Sequence, residues 1–367
     1  MTLGTGQPTA VDVAIERVHQ SASTHDSTDQ EPNHLGCVQR RVNEALIILC
    51  ASFLASGLAL AQQVDIGPAP GRLIDIGGRK LHLNCTGRGS PTVILEAGAS
   101  SFALDWSLVQ PEIARVQRVC SYDRAGSGWS DPRADVETPA RVVADLHAAL
   151  AAAAEEPPFV MVGASAGGIY VRIYQLDHPD EVVGLVLVDP ATEDRLFTMF
   201  RGQAVTISSL TSEQLLSTLP TSGSVPISPR SPQTGAPFDR LPLELYQLRI
   251  KIDQRLIASF PPSVSADIVR ESSEGQRAGL ARLLESRDRQ DNRMQNLPVV
   301  VLTRGRDTSS ELAATHAQLA RLSKNSRHTV VPDAGHEIHL FAPSVVVQAI
   351  LDVSAATRQQ KQLPARP

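Results

Sequence analysis

The fold is decided by the stretch Phe159-Val-Met-Val-Gly-Ala-Ser165-Ala-Gly-Gly-Ile-Tyr-Val-Arg-Ile-Tyr-Gln-Leu176. Its apolar beginning, residues 159–162, predicts a buried strand, and residues 168–176 predict a helix. Between them lies Gly163-Ala164-Ser165-Ala166-Gly167, a G-x-S-x-G sequence typical of a strand-to-helix turn that carries a nucleophilic serine. The two glycines permit a turn sharp enough to lift the serine above the sheet. An ordinary glycine-containing turn is the alternative interpretation.

Strand-like and helix-like segments alternate on both sides of this turn. A hairpin is expected at residues 72–85 around Gly77-Gly78, and Thr138-Pro139 is expected to cap a helix. Further strands are predicted at residues 92–96, 118–122, 183–188, 299–303 and 328–331. Strands that alternate with helices form mostly parallel sheets flanked by helices. The sequence therefore predicts an α/β fold whose core comprises residues 72–191 and 297–357.

Residues 192–296 interrupt the alternation after the sixth predicted strand. The insertion is far longer than an ordinary connection of about 4–6 residues, so we expect a largely helical lid or cap. A Pro/Ser/Thr/Gly-rich loop occupies residues 219–242. Apolar residues then recur on one helical face: Leu241, Leu245, Leu248, Ile252 and Leu256. This row is expected to shape an apolar substrate pocket.

The N-terminal segment differs from the rest of the chain. Residues 1–37 are polar without hydrophobic period, which predicts disorder. Residues 38–61 combine a basic start, a short apolar run and a small-residue Ala59-Leu60-Ala61 end, as a secretory signal peptide does. We therefore expect export to the periplasm or the medium, with a membrane anchor as the alternative. A GTG codon at Val38 would make the first 37 residues an artefact of the assigned start.

Composition excludes several functional classes. The net charge of −5 gives no basic surface for nucleic acid. We find no dinucleotide fingerprint, no phosphate loop and no His/Cys cluster with metal-ligand spacing, so neither a cofactor nor a metal is expected. A small-molecule substrate is the expected partner, with no stable membrane span after processing, and the oligomeric state stays open.

A serine hydroxyl needs a general base, and His336 is the candidate. It follows the last predicted strand in Asp333-Ala334-Gly335-His336, and it comes after Ser165 in the chain. His339 is the nearest rival, whereas His178 ends the helix after the serine and is expected to be structural.

The tetrahedral intermediate of acyl transfer requires two amide donors. The N–H of Ala166 is expected at the start of the helix, next to the serine. Ala99, in Glu96-Ala97-Gly98-Ala99 after the third strand, is the candidate for the second donor. A tight surface turn is the alternative for this loop.

These motifs together resemble the α/β-hydrolase superfamily, in the serine-nucleophile branch that holds many carboxylesterases. The matching pieces are Tyr122-Asp123-Arg124-Ala125-Gly126-Ser127-Gly128-Trp129-Ser130-Asp131, the Gly163–Gly167 turn, Val186-Leu187-Val188-Asp189 and Gly335-His336. The resemblance covers residues 72–189 and 297–355. It implies a serine rather than an aspartate nucleophile, which argues against epoxide hydrolases and haloalkane dehalogenases. Ala97-Gly98 replaces the usual His-Gly of the oxyanion loop.

The resemblance leaves a choice for the acid that orients His336. Asp307 follows the seventh strand through Gly305, at the commoner position for this acid, and is our first choice. Asp189 after the sixth strand is the alternative, and Glu311 is a third candidate that would otherwise open a helix. Asp307 also departs from the usual spacing, because it lies two residues beyond Gly305 rather than three.

The resemblance also bears on the cysteines and on the reaction. Its second and fourth strands are neighbours, so Cys85 and Cys120 are expected to form a disulfide, with two buried free thiols as the alternative. The expected activity is hydrolysis of small to medium neutral carboxylic esters through an acyl-enzyme. Lactonase, thioesterase, amidase or C–C hydrolase activity would use the same residues, and a catalytically silent binding protein is the remaining alternative.

Overall fold

An eight-stranded sheet forms the centre of the computed structural model, which describes residues 64–364 except 196, 202, 229 and 289–292. The strands are β1 (Arg72–Asp75), β2 (Lys80–Thr86), β3 (Thr92–Glu96), β4 (Val119–Tyr122), β5 (Phe159–Ala164), β6 (Val182–Val188), β7 (Val299–Arg304) and β8 (Ser326–Val331). Their spatial order is β1-β2-β4-β3-β5-β6-β7-β8. β1 and β2 pair antiparallel, as do β2 and β4, and the other neighbours pair in parallel. The predicted mostly parallel α/β sheet is confirmed.

Helices cover both faces of this sheet. They are α1 (Gln110–Ala114), α2 (Pro139–Ala152), α3 (Gly167–Asp177), α4 (Ser212–Leu216), α5 (Leu243–Ser259), α6 (Ala266–Asp288), α7 (Ser310–Ala320), α8 (Ile338–Phe341) and α9 (Pro343–Gln359). Every residue of β5 is buried, as expected for a strand covered on both sides. Thr138 caps α2 as predicted, because its hydroxyl accepts a hydrogen bond from the amide of Arg141 at 3.3 Å.

Two apolar layers hold the helices against the sheet. One layer contains Leu146 of α2 and Tyr174 of α3. The other contains Ile113 beside α9 residues such as Ile350 and Val353. Both layers are built from side chains that alternate along the strands, so neighbouring residues of one strand belong to opposite layers.

A disulfide joins Cys85 and Cys120, which lie directly opposite each other on β2 and β4. The expected bridge is therefore confirmed, and the free-thiol alternative is excluded. The bridge ties the antiparallel β1–β2 edge to the parallel part of the sheet.

The insertion between β6 and β7 contains α4, α5 and α6 together with two small two-stranded sheets. One pairs Phe197–Phe200 with Gln203–Thr206, and the other pairs Ser224–Pro226 with Ser263–Ser265. The apolar face predicted for α5 packs on the core: Ile252 and Leu256 share a cluster with Phe102, Leu104 and Leu340. The buried Arg249 of α5 also pairs with Asp105 at 2.7 Å. The insertion therefore contacts the loop that follows β3, at the edge where the parallel strands end.

The sequence predictions for residues 1–37 and 38–61 lie outside the described residues, so the structure does not bear on disorder or on a signal peptide. Within residues 64–364, apart from the gaps given above, no helix combines the length and the apolar character needed to cross a bilayer.

Candidate active site

Ser165 lies between β5 and α3 in a left-handed backbone conformation, with φ = 51°. This region is uncommon for residues other than glycine and marks local strain. The backbone packs too closely here for a side chain at either flanking glycine. A Cβ on Gly163 would lie 2.4 Å from the carbonyl oxygen of Gly167. A Cβ on Gly167 would lie 2.6 Å from the carbonyl oxygen of Glu96. The sharp strand-to-helix turn predicted from the sequence is therefore present.

Backbone hydrogen bonds join this turn to the end of β6. The amide of Ser165 donates to the carbonyl of Val188 at 3.1 Å. The carbonyl of Ser165 in turn accepts from the amides of Gly168 at 2.9 Å and Ala191 at 2.8 Å. These bonds fix the position of Ser165 relative to Asp189, the residue that follows β6.

His336 contacts Asp189 and not Asp307. Its Nδ1 lies 2.5 Å from Oδ2 of Asp189, whose side chain is only 2% exposed. The amide of Arg304 donates to Oδ1 of the same carboxylate at 3.0 Å, and the Arg304 guanidinium lies 3.3 Å from Oδ2. An ionised carboxylate can only accept, so His336 donates through Nδ1 and is held in the tautomer whose Nε2 can take a proton.

The environment of Asp189 favours its charged form. Burial alone would raise the pKa of this carboxyl, but the hydrogen bonds from His336 and from the Arg304 amide outweigh burial and lower the pKa below its ordinary value. Asp189 is therefore a carboxylate at neutral pH, able to stabilise an imidazolium at His336.

The prediction that Asp307 approaches His336 is wrong. Gly305 donates its amide to the carbonyls of Val331 at 2.8 Å and Ala334 at 3.1 Å, and Arg306 donates to Ala334 at 3.0 Å. These bonds close the turn against the loop after β8, and Asp307 is left exposed. The alternative considered in the sequence, Asp189, occupies the position instead.

The rival histidines lie elsewhere. His339 is buried against the ring of Trp106, with 4.7 Å between ring centroids. Burial lowers the pKa of His339 to about 3, so it stays neutral. His178 follows α3 and therefore lies at the opposite end of that helix from Ser165.

The loop after β3 passes directly over the serine. A Cβ on Gly98 would lie 3.2 Å from the Cβ of Ser165. Ala99 is the next residue of this loop, and Ala166 follows Ser165 at the beginning of α3. Of the two residues predicted to supply oxyanion donors, Ala99 thus belongs to the loop that passes over Ser165, and Ala166 to the turn that follows it.

Arg124, a residue of the Tyr122–Asp131 motif, fixes the loop after β3 in place. Its buried guanidinium donates to the carbonyl oxygens of Ala97 at 2.8 Å and Gly98 at 2.6 Å, and to Oε1 of Glu96 at 2.7 Å. Burial alone would lower the pKa of Arg124, but the charges of Glu96 and Glu137 outweigh it and raise the pKa. The fork of donors on one side chain therefore fixes two consecutive peptides of the loop.

Glu96 and Glu137 share this single guanidinium in a buried cluster. The Tyr122 hydroxyl donates to Glu96, while Oε1 of Glu137 lies 3.8 Å from Nε of Arg124. Burial raises the pKa of Glu137 to about 7. The signal in the sequence was the pair Glu96 and Arg124 at the ends of adjacent strands, but only the fold shows that they touch.

A cavity of about 450 Å³ lies beside α5. Leu245 and Leu248 line it together with His82 and Trp129. Ser165 and His336 are not among its lining residues. The expectation that the leucine row of α5 shapes the substrate pocket therefore stays a prediction.

Comparison with known proteins settles the family. Residues 91–343 match the family described as the alpha/beta hydrolase fold. The chain belongs to this family. Among curated proteins, it is 23% identical to the uncharacterized protein YqjL of Bacillus subtilis (strain 168), across 75% of this chain and 87% of that protein.

Other relatives of this hydrolase-fold chain are matched more narrowly. It is 32% identical to the 2-hydroxymuconate semialdehyde hydrolase of Pseudomonas sp. (strain CF600), across 34% of this chain and 44% of that enzyme. Several other curated relatives are also matched over less than half of their own length. The enol-lactonase structure from Burkholderia xenovorans LB400 superposes with a TM-score of 0.51 at 17% identity, across 75% of this chain and 96% of that one. This likeness shows the fold.

Proposed function

We propose that the protein is a serine hydrolase that cleaves small to medium neutral carboxylic esters through an acyl-enzyme. Ser165 is the nucleophile, His336 the general base and Asp189 the acid that orients it. The amides of Ala99 and Ala166 stabilise the oxyanion. The observation that carries the proposal is the 2.5 Å contact between His336 Nδ1 and Asp189, at the same sheet edge as a serine in a strained turn.

The proposed reaction has two halves. The Oγ of Ser165 attacks the ester carbonyl while its proton passes to Nε2 of His336, and the carbonyl oxygen becomes an oxyanion. The collapse of this intermediate breaks the C–O bond, and His336 returns the proton to the departing alcohol. Water then attacks the acyl-enzyme with the same base, which releases the acid and restores the serine.

The preference for neutral substrates rests on the insertion. The apolar face of α5 packs against the loop after β3, where Ile252 and Leu256 share a cluster with Phe102 and Leu104. Charged acyl groups would lose hydration on entering such a surface without gaining a partner. Lactones and C–C substrates, as the names of the enol-lactonase and the semialdehyde hydrolase suggest, are the alternatives that the same residues could serve.

The first experiment tests the nucleophile. Ser165→Ala should reduce kcat on p-nitrophenyl esters by about 10⁴-fold or more, because residues of such a triad act as a unit. A fluorophosphonate probe should label the wild type and Ser344→Ala, a matched change of an exposed serine, but not Ser165→Ala. Labelling of Ser165→Ala would place the nucleophile elsewhere, and an unreactive wild type would favour a silent binding protein.

The second experiment tests the substrate class. A panel should contain neutral esters of graded chain length, a dicarboxylic monoester, a lactone and a thioester. We expect the highest kcat/KM for a medium-length neutral ester. An equal kcat/KM for the dicarboxylic monoester and its neutral analogue would contradict the proposed preference.

We also propose that the protein is exported. The Cys85–Cys120 disulfide supports this, because disulfides persist mainly in oxidising compartments. N-terminal sequencing of the protein recovered from the medium or the periplasm should give a start at Gln62. A chain retained in the membrane fraction would favour the anchor alternative.

A further inference from the structure

Three potential metal ligands meet at the edge of the sheet opposite the candidate active site. His147 belongs to α2, His178 follows α3, and Glu181 immediately precedes β6. Asp189 follows the other end of β6, and a seven-residue strand is roughly 20 Å long. The group is therefore separate from Ser165 and His336.

The three side chains converge on one point. The imidazole rings of His147 and His178 stack with 3.9 Å between centroids and 4° between planes. Oε1 of Glu181 lies 3.1 Å from Nε2 of His147 and 4.0 Å from Nδ1 of His178. One ligand atom from each residue lies within 4.8 Å of the other two.

The surroundings keep these groups ready to coordinate. The His147 side chain is 40% exposed and the His178 side chain 25%, so an ion can reach both imidazoles from solvent. The Tyr174 hydroxyl donates to Oε2 of Glu181 at 2.6 Å, which leaves Oε1 facing the two rings. A hydrogen bond to the second oxygen of a coordinating carboxylate is the usual support for a metal ligand.

We propose that His147, His178 and Glu181 form a binding site for a divalent zinc-type cation. Nε2 of His147, Nδ1 of His178 and Oε1 of Glu181 are the protein ligands, and water completes a four-coordinate shell. The cation takes the place of the hydrogen between His147 Nε2 and Glu181, and a neutral His147 then carries its proton on Nδ1. Two imidazoles and one carboxylate suit Zn²⁺ better than Mg²⁺ or Ca²⁺, which prefer oxygen ligands.

An imidazole nitrogen binds a metal in the plane of its ring, and the two stacked ring planes are parallel, so one ring must turn out of the stack for the site to close. Around a tetrahedral ion with bonds of about 2.1 Å, ligand atoms lie roughly 3.4 Å apart. The 3.1 Å and 4.0 Å separations already bracket this value. Both imidazoles are partly exposed and can shift by rotation about their side-chain bonds. The bound ion would link α2, the end of α3 and the beginning of β6.

Sequence spacing gave no sign of this group. His147 and Glu181 are 34 positions apart in the chain, and the three residues belong to different elements. The proposal therefore replaces the expectation, drawn from the sequence, that the protein has no metal site.

The test is a Zn²⁺ titration of the full-length protein by calorimetry, with the thermal unfolding midpoint as a second readout. We expect one ion bound in the micromolar range and a higher midpoint, since a ligand that binds only the folded state stabilises it. His147→Ala and Glu181→Gln should each weaken this binding by about 10²-fold or more, as loss of a direct ligand exceeds the 10–100-fold typical of outer-shell changes. His328→Ala and Glu156→Gln, matched changes away from the group, should bind as the wild type does.

Two results would overturn the proposal. One is a wild type that binds Zn²⁺ only at millimolar concentrations. The other is unchanged affinity in both His147→Ala and Glu181→Gln, which would place the ion at other residues. X-ray absorption of the zinc-loaded wild type gives a check that needs no variant: two imidazole ligands are expected, and a shell without imidazole would contradict the site.

Discussion

Asp189 and Asp307 follow neighbouring strands at the same edge of the sheet, and both adopt positive φ, 42° and 52°. They nevertheless have different environments. Asp189 is buried and contacts His336, an amide and a guanidinium, whereas Asp307 is exposed. A position at a strand end is therefore insufficient to make a carboxylate the partner of His336. The groups that surround the carboxylate decide whether it can serve as that partner.

The backbone explains the difference between the two loops. The amide of Asp189 donates to the carbonyl of Leu302 on β7 at 2.7 Å, and Ala191 bonds to Ser165. The loop after β6 is thus joined to β7 on one side and to the serine turn on the other. The loop after β7 is bonded instead to the loop after β8, and its aspartate is exposed.

Among the changes that test this comparison, Asp189→Asn has the largest expected effect. The amide keeps the shape of the side chain, but its NH₂ group can turn toward Nδ1 and favour the wrong tautomer of His336. We expect kcat on an ester substrate to fall by about 10³–10⁴-fold while KM changes little. Steady-state kinetics would measure this, and circular dichroism would show that the fold is kept. Near-native turnover would remove Asp189 from the proposed triad.

Arg124 extends the comparison to a third residue at this edge, after β4. Arg124→Lys keeps a charge beside Glu96 but loses the fork that fixes Ala97 and Gly98, so the oxyanion loop should move. We expect a fall in kcat of about 10- to 100-fold, the scale of small misplacements at an active site. The rate of fluorophosphonate labelling should fall in parallel, whereas a purely structural role would lower the unfolding midpoint and leave both rates intact.

The pH dependence of stability tests the environment of Asp189 without an activity assay. The pKa of Asp189 is lower in the folded protein than the value of about 3.9 in an unfolded chain, so its carboxylate stabilises the fold above about pH 4. That contribution is lost as the pH falls through the folded pKa. Denaturant unfolding should therefore show a gap between wild type and Asp189→Asn that narrows from pH 6 to pH 3. A gap independent of pH would contradict the lowered pKa.

The sequence predicted what depends on local pattern. The serine turn, the alternation of strands and helices along the chain and the capped helix at Thr138 were predicted from short stretches of sequence, and the structure has them. The Cys85–Cys120 bridge followed once the resemblance placed β2 beside β4.

What the sequence could not decide depends on contacts between distant segments. The choice between Asp189 and Asp307 rests on the contact of His336 with Asp189, which joins residues 147 positions apart in the chain and which no local pattern encodes. The grip of Arg124 on the loop after β3 likewise requires the adjacency of β3 and β4. The metal-ligand group at Glu181 joins three elements whose separation in the chain hides them.

The smallest expected effect, and the sharpest contrast with Asp189, belongs to Asp307→Asn. Asp307 is exposed, and His336 already has its carboxylate partner in Asp189. The change removes one surface charge, which typically alters stability by less than about 0.5 kcal/mol. We expect kcat and KM within about twofold of the wild type, as for surface changes remote from the reacting groups. The same ester assay, run beside Asp189→Asn at matched protein concentration, makes the comparison direct.

A thousandfold loss in Asp307→Asn with normal activity in Asp189→Asn would mean that the loop after β7 rearranges in solution to supply the acid. Equal losses in both would mean that Asp307 acts through the Arg304 segment that holds Asp189, and a double variant no worse than Asp189→Asn alone would then locate the effect there.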